Sequence, residues 1–463
     1  MEFIDREREL SFLETQWKRS QAQLIILYGK RRVGKTELIH RFLQKKPAVY
    51  YVADRRPEPA HLKELAARFS AFFRDEFLSR EGFSDWLSVF AYLKRKVREP
   101  FIWVIDEFPY LAENNRAISS LFQKGWDETL RHLPIFLILC GSSISMMESE
   151  TLAHKAPLYG RRTGQIFLEP MGFYDAWKFF PKTAFEDFLY LYAVLGGTPA
   201  YLIRFDPEES LEENIRSQIF TKEEFLHREV EYFLREELRE PRNYLAILKA
   251  VTSGKRKFGE IVNDTQQEKN TLTKYLHVLE DLHLIEKEVP ATEKNPQRSK
   301  KGLYRLQDPF FVFWFEYVFP HKSDLELGET AVALRAWRRT FDRLVASTYE
   351  RVSAHVVRKH EEDLFPLQRI GRWWDRNQEI DLVGVNDSEN AILFGEAKWS
   401  TKPVGTDIYE SLQGKARQVE WGKKGRKEHF CLFSRSSFTP AMKRLAQEQE
   451  VLLFHRDRLL PMK

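Results

Sequence analysis

Unbroken apolar runs of strand length recur through the first third of the chain, at residues 24–28, 48–53, 101–105 and 135–141, and polar or glycine-bearing stretches separate them. A strand that is apolar on both faces is buried on both, as in a parallel sheet covered by helices. A shorter run at 165–168 predicts a further strand, while residues 37–42 and a long stretch ending near Arg98 predict helices. From Asn243 the pattern changes. Residues 244–251 form an amphipathic helical stretch, 258–262 a second short helix, and 270–279 a third with Leu272, Leu276 and Leu279 on one face. Residues 284–289 alternate as a strand does, and a polar, basic hairpin at 295–301 leads into another short strand at 302–306. Three short helices and a two-stranded wing predict a winged helix-turn-helix. An aromatic belt at 309–320 is interrupted only by Glu316 and is too short to span a bilayer, which predicts a buried connector. A helix over 341–360, strands at 367–374, 379–385 and 391–399, a helix over 407–421 and a strand at 430–433 then predict a second α/β region.

A chain of 463 residues has room for about three domains, and a hydrophobic content of 43% supplies several cores. The net charge of +5 is compatible with nucleic acid without requiring it, because most basic residues alternate with acidic ones on helix-like stretches. The two cysteines, Cys140 and Cys431, lie in apolar runs and are expected to be buried thiols. No apolar stretch reaches transmembrane length, and the opening Met1-Glu2-Phe3-Ile4-Asp5-Arg6 does not read as a signal peptide, so a cytoplasmic protein is expected.

Candidate chemistry sharpens this picture. Gly29-Lys30-Arg31-Arg32-Val33-Gly34-Lys35-Thr36 spells G-x-x-x-x-G-K-T between an apolar strand and a helix start. Backbone N–H groups of such a loop cradle phosphates, the lysine reaches the β and γ phosphates and the hydroxyl ligates Mg²⁺. ATP with Mg²⁺ is therefore the expected cofactor. The run 101–105 leads into Asp106 and Glu107, two carboxylates at the ligand-binding end of a parallel strand. Asp106 is expected to hold the metal and Glu107 to polarise the attacking water. Ser142, after the run 135–141, either senses the γ-phosphate or is ordinary turn chemistry. Arg161 or Arg162 is a candidate for stabilising charge on the transferred phosphoryl group, in cis or from a neighbouring subunit of a homo-oligomer; a surface pair is the alternative.

These residues carry a resemblance. Residues 3–10 (Phe-Ile-Asp-Arg-Glu-Arg-Glu-Leu), the phosphate loop, residues 105–111 and the Gly-Gly-Thr-Pro element within 195–202 resemble the archaeal-type AAA+ ATPases. The resemblance covers the first half of the chain. It implies an α/β P-loop core over 1–170, a helical lid over 171–240 ending near Arg239, a winged helix over 241–308, a connector over 309–337 and a less characterised domain over 338–463.

Within that last domain Asp381 lies in the second predicted strand, and Glu396 and Lys398 share one face of the third, set apart from the apolar burial expected of Phe394. Buried charges need partners, and Asp381 on the adjacent strand is the natural one. The order helix, strand, strand, strand resembles the PD-(D/E)xK nuclease superfamily, a restriction-endonuclease-like α/β fold. The resemblance implies that Asp381 and Glu396 bind Mg²⁺, that Glu350 on the preceding helix completes the site and that Lys398 orients the attacking water. Ile380 stands where that pattern carries proline. An inert salt-bridge cluster is the structural alternative. Trp373 and Trp374 would stack on bases or pack in the core. Lys274, Arg298, Lys300 and Lys301 are candidate phosphate contacts of the winged helix, against a plain packing domain with a solvated basic hairpin. Together these features predict an ATP-binding, ATP-hydrolysing protein acting on DNA. A signalling switch whose end domain is catalytically silent, and a protein-remodelling ATPase with no nucleic-acid partner, are the alternatives.

Overall fold

The computed structural model describes residues 3–154, 156–238, 240–375 and 378–461. Met1, Glu2, the lid boundary at Arg239 and the last two residues of the expected C-terminal domain lie outside them. The chain divides into two compact units, Met1–Asp175 with Thr198–Ala200, and Ala176–Gly197 with Tyr201–Lys463.

In the first unit β1 (Gln23–Tyr28), β2 (Ala48–Val52), β3 (Phe101–Asp106), β4 (Ile135–Gly141) and β5 (Gly164–Phe167) form one sheet in the order β2-β3-β4-β1-β5. All its pairings are parallel. Every residue of β1, β3 and β4 is buried, as continuous apolar runs require. One face packs Leu38, Ile39 and Phe42 of the helix Lys35–Leu43 against Ile25, Ile102, Phe136 and Ile138. Trp103 meets Phe69 edge-on at 5.4 Å and Phe122 at 5.9 Å. Parallel alignment brings the carboxyl ends of β1, β3 and β4 to one edge of the sheet, where the phosphate loop, Asp106 and Ser142 follow.

The second unit contains the expected three helices, Pro241–Thr252, Phe258–Thr265 and Lys269–Asp281, followed by antiparallel β6 (Ile285–Glu288) and β7 (Leu303–Leu306). Leu272, Leu276 and Leu279 form the buried face of the third helix. The aromatic belt continues from Pro309–Phe313 through a π turn at Trp314–Val318, and the buried Trp314 indole donates to His227 O at 2.7 Å.

After a short helix at Lys322–Glu326, the long helix that follows begins earlier than its apolar pattern suggested. It runs Thr330–Lys359, starting soon after Gly328 (φ 85°), and Ala333, Leu334 and Trp337 extend the buried stripe of Phe341, Leu344 and Val345. A boundary at 338 therefore falls inside one unbroken helix, since nothing between Thr330 and Lys359 stops it.

Beyond it lies a mixed sheet of β8 (Arg369–Trp374), β9 (Glu379–Asn386), β10 (Ala391–Lys398), β11 (Lys427–Ser434), β12 (Leu452–His455) and β13 (Arg458–Leu459). Its order is β13-β12-β11-β10-β9-β8, antiparallel at both ends and parallel between β10, β11 and β12. The helices Thr406–Ala416 and Pro440–Glu448 contribute Leu412, Ala416, Met442 and Ala446 to its core. The second of these helices and the two last strands had no counterpart in the sequence reading. A signal was there: Thr439 before Pro440 is a capping pair, and Thr439 Oγ1 accepts from Met442 N at 3.1 Å.

Candidate functional site

Gly29 has φ 154°, and a Cβ there would lie 2.3 Å from Leu168 O, so only glycine fits this turn. Gly34, at φ 96°, turns the chain into the helix that starts at Lys35. Lys35 is buried, and its ammonium donates to Gly29 O at 2.9 Å and Lys30 O at 2.8 Å. Burial lowers its pKa, with Cys140, Glu107 and Asp106 pulling the other way. Thr36 Oγ1 donates to Asp106 Oδ2 at 3.1 Å, across 70 residues of chain. A hydroxyl beside a carboxylate is a donor set that fits a hard divalent cation. Val33 is fully buried and Lys30 nearly so, while Arg31 donates to the Tyr110 hydroxyl at 3.1 Å. Arg32 adopts φ 71° in the loop.

β3 ends at Asp106, and Glu107 stands just past it at φ 55°. Its N–H donates to Asp106 Oδ1 at 2.9 Å. The Ser142 hydroxyl donates to Glu107 Oε1 at 2.7 Å and the Ser142 N–H to Oε2 at 3.3 Å. Lys35, Thr36, Asp106, Glu107 and Ser142 thus come together at one edge of the sheet.

The two arginines separate. Arg161 forms an ion pair with Asp127 at 3.0 Å. Arg162 lies over the Tyr159 ring at 5.1 Å, and its buried Nη1 has no hydrogen-bond partner among the described residues. Arg162 also bears electrostatically on Tyr28, the last residue of β1 before the phosphate loop.

Two residues of this site were not singled out from the sequence. Tyr50 donates to Asp106 Oδ2 at 2.6 Å, and burial together with Asp106 holds its hydroxyl well above the ordinary tyrosine range. Arg6 is buried and donates to Val33 O at 3.0 Å and Glu169 O at 2.7 Å, tying the segment before the first helix to the loop. The charged run from Asp5 to Glu9 contained the only signal for Arg6. For Tyr50 the apolar strand pattern concealed it.

In the second unit, the β9–β10 ladder brings Asp381 and Glu396 to opposing positions, one step beyond the Leu382–Gly395 pair. Asp381 Oδ2 accepts from Ala397 N at 3.0 Å. Lys398 pairs with Glu396 at 2.8 Å and lies 3.9 Å from Asp381. Lys415, on the helix Thr406–Ala416, also pairs with Glu396, at 3.1 Å. Burial, then Glu396, pushes Asp381 up to about 6, and burial, then Asp381, pushes Glu350 up to about 7. For Lys398 burial opposes the charge, but Glu396 and Asp381 outweigh it and the pKa rises.

Glu350 and Asp381 line one cavity. Among the described residues no three His, Cys, Asp or Glu side chains form a group arranged to hold a metal ion. The β9–β10 register also places Phe394 opposite Val383, on the same sheet face as Asp381 and Glu396, not apart from them. Strand alternation itself puts 394, 396 and 398 on one face, against the separation expected from the sequence, and the apolar core gives way to charge toward the strand end.

The basic candidates of the middle segment do not converge. Lys274, Arg298, Lys300 and Lys301 are all exposed, and Lys301 pairs with Glu293 at 2.8 Å. Lys300 and Lys301 line a broad groove with Lys257, Lys287 and Trp374, which Lys274 and Arg298 do not enter. The β6–β7 hairpin is tied to β8 by Ala291 N to Arg372 O at 2.8 Å, Arg369 to Glu293 O at 2.9 Å and Trp374 Nε1 to Lys301 O at 3.2 Å. Trp373 is buried in the sheet core.

Comparison with known proteins places this geometry among relatives. A family model described as an ATPase domain predominantly from Archaea matches residues 3–205, and one described as archaeal and bacterial proteins of unknown function matches residues 314–411. An uncharacterised protein of Methanocaldococcus jannaschii is 34% identical over 418 residues, spanning 88% of this chain and 91% of its own. An uncharacterised ATP-binding protein of the same organism is 59% identical over 44 residues, 10% of this chain and 75% of its own. The solved structure of a Walker-type ATPase of Pyrococcus abyssi superposes with a TM-score of 0.51 at 23% identity, covering 68% of this chain and 96% of that one, a likeness of fold. No described helix is long and apolar enough to cross a membrane.

Proposed function

This chain belongs to the archaeal-type ATPase family, and from that premise we propose that it hydrolyses ATP with Mg²⁺ to drive or gate action on DNA, with a metal-dependent phosphodiesterase site in its C-terminal region. The observation that carries the second half is the convergence of Asp381, Glu396 and Lys398 on adjacent strands, with Glu350 beside Asp381.

In the first unit Lys35 would leave the loop carbonyls for the β and γ phosphates, whose charge its ammonium matches. Thr36 and Asp106 would hold the Mg²⁺, and Tyr50 fixes the Asp106 carboxylate from the side. Glu107 would take the proton of the attacking water. Ser142, now on Glu107, would orient that carboxylate or reach the γ-phosphate. Arg162, less engaged than Arg161, is the better candidate for the transition-state cation, from its own subunit or a neighbouring one.

In the second unit Asp381 and Glu396 would hold Mg²⁺, which supplies charge neutralisation at phosphate and a more acidic bound water. Lys398 would position that water, and Glu350 would complete the ligand set. Lys274, Arg298, Lys300 and Lys301 would contact the phosphate backbone, with exposed cations favouring a salt-sensitive, sequence-tolerant interaction.

The test is Mg²⁺- or Mn²⁺-dependent cleavage of single- and double-stranded DNA by the full chain, lost in Asp381→Ala and in Lys398→Ala. Cleavage that survives both substitutions belongs to a contaminant and ends the phosphodiesterase reading.

One observation favours a second reading. Glu396 is already neutralised by Lys398 and Lys415, as a silent structural cluster would be. In that reading ATP switches the chain between states, and the C-terminal sheet cleaves nothing, even when Lys415→Met removes one of the two lysines from Glu396.

A further inference from the structure

Two tyrosines stand side by side in β2, and strand alternation sends them to opposite faces of the sheet. Tyr51 is fully buried, and its hydroxyl bonds to the ring of His61 on the helix Glu58–Phe73. Tyr50 turns to the face covered by the helix Lys35–Leu43 and packs against the core there. In the β2–β3 ladder Tyr50 pairs with Val104, and Val52 with Asp106. Tyr50 therefore lies diagonally behind Asp106 on one face, a separation that a long aromatic side chain spans.

The Tyr50 hydroxyl uses that reach. It donates to Asp106 Oδ2 at 2.6 Å, the length of a bond between a hydroxyl and a charged carboxylate. The same oxygen accepts from Thr36 at 3.1 Å, and Oδ1 accepts from the Glu107 N–H at 2.9 Å. Thr36 and His40 stand one turn apart on the helix Lys35–Leu43, and the His40 ring packs on the Tyr50 ring at 4.8 Å. From the helix Glu58–Phe73, Arg68 donates to Tyr50 O at 2.8 Å. Ring and backbone of Tyr50 are thus held from two helices, and its hydroxyl passes that constraint to a carboxylate at the mouth of the phosphate loop. Hydrogen bonds from outside a metal site orient the oxygens that serve the metal, and losing one costs metal affinity before anything else.

We propose that Tyr50 is a positioning residue for the magnesium ion, whose hydroxyl fixes the Asp106 carboxylate and so sets the affinity of the site for the metal rather than for the nucleotide. The proposal rests on the reading of Thr36 and Asp106 as the Mg²⁺ site.

The experiment titrates Mn²⁺, followed by EPR, into the full chain held in excess over a non-hydrolysable ATP analogue. Ion bound without the analogue is subtracted, so that the signal left belongs to the nucleotide site. Tyr50→Phe, which deletes one oxygen and keeps the ring, is expected to weaken Mn²⁺ about tenfold. Its affinity for the analogue in EDTA should stay within about twofold of the parent. Tyr51→Phe, which deletes the neighbouring hydroxyl on the other face, should leave the metal affinity where it was. Should Tyr50→Phe fail to fold, the exposed His40 is changed instead: His40→Ala loosens the ring and should weaken Mn²⁺ severalfold. Asp106→Asn separates the two claims. Mn²⁺ bound by Asp106→Asn as by the parent ends the reading of Asp106 as a metal residue, and this proposal with it. A loss in Asp106→Asn but none in Tyr50→Phe overturns the role of Tyr50 alone. An equal loss in Tyr51→Phe, or a loss of analogue affinity in EDTA as large as the loss of metal affinity, assigns the effect to the packing of β2 and overturns the proposal, as does an unchanged metal affinity in His40→Ala where that variant is the one read.

Discussion

The two charged clusters of this chain keep their carboxylates in opposite company. Asp106 accepts from the hydroxyls of Thr36 and Tyr50, and Glu107 from the hydroxyl of Ser142, while the nearby Lys35 is held by backbone carbonyls. Glu396 instead bears two lysines directly, Lys398 and Lys415, and Lys398 also leans toward Asp381. Hydroxyls hold a carboxylate in place without cancelling its charge, so the carboxylates of the first cluster keep their negative charge close to Lys35. In the second, the charge of Glu396 is answered by two lysines, and a metal ion would compete with them for it. Neighbouring residue types are similar in the two clusters, and the partner chosen for each carboxylate sets what each can bind.

The sharpest way to break this contrast is Lys35→Ala. It should lower ATP affinity by about 100-fold or more, roughly 3 kcal/mol, measured with a fluorescent ATP analogue. Lys398→Ala should leave that affinity within about twofold. Tight ATP binding in Lys35→Ala would remove the glycine loop from the argument. Next in size is Glu107→Gln, which keeps the carboxylate's shape and its contact with Ser142 but not its basicity. Steady-state hydrolysis should fall by about 100-fold or more while ATP still binds. A variant that hydrolyses ATP normally would mean that Ser142 holds Glu107 for structural reasons alone.

The contrast also predicts unequal stability effects. Glu396→Gln leaves Lys398 and Lys415 without their shared anion in a largely buried setting, and should cost about 2 kcal/mol in urea denaturation of the full chain. Asp106→Asn keeps an oxygen that can accept from Thr36 and Tyr50, and should cost less than about 1 kcal/mol. Equal losses would show that the two clusters hold their carboxylates in the same way after all.

Much of this was legible from residue order. Glycine geometry at Gly29 and Gly34 admits few alternatives, and a strand apolar on both faces is buried on both wherever it occurs, so the loop and the sheet around it were readable together. Asp381, Glu396 and Lys398 were readable as neighbours because strand alternation and antiparallel pairing are local rules. What stayed hidden depended on distance along the chain. Lys415 approaches Glu396 of β10 from the helix Thr406–Ala416, Tyr50 reaches Asp106 across 56 residues, and Arg6 reaches Glu169 across 163. A side chain's partner is set by packing, and periodicity reports only which face it leaves from.

Glu316 offers the smallest and cleanest refinement of the comparison, because its carboxylate has neither arrangement. It is the lone charge in the aromatic belt, its Oε2 is buried without a hydrogen-bond partner among the described residues, and Arg343 stands 3.7 Å away and largely exposed. Burial raises its pKa above the ordinary glutamate value, with Arg343 pulling the other way. For a carboxylate raised in the folded state, the folded chain binds the proton more tightly than the unfolded one. The associated stability is fully present below the unfolded value of about 4.3 and is lost as pH rises through the raised folded value. Glu316→Gln, which is neutral at every pH, should therefore match the parent well below the unfolded value, at about pH 3, and exceed it at pH 8. The gain expected at pH 8 is the free-energy equivalent of that upward shift. Denaturation midpoints at the two pH values read it directly. A loss of stability at pH 8 would mean that Arg343 holds the charge as effectively as Lys398 and Lys415 hold Glu396, and that a single exposed arginine is enough to sustain a buried carboxylate in this fold.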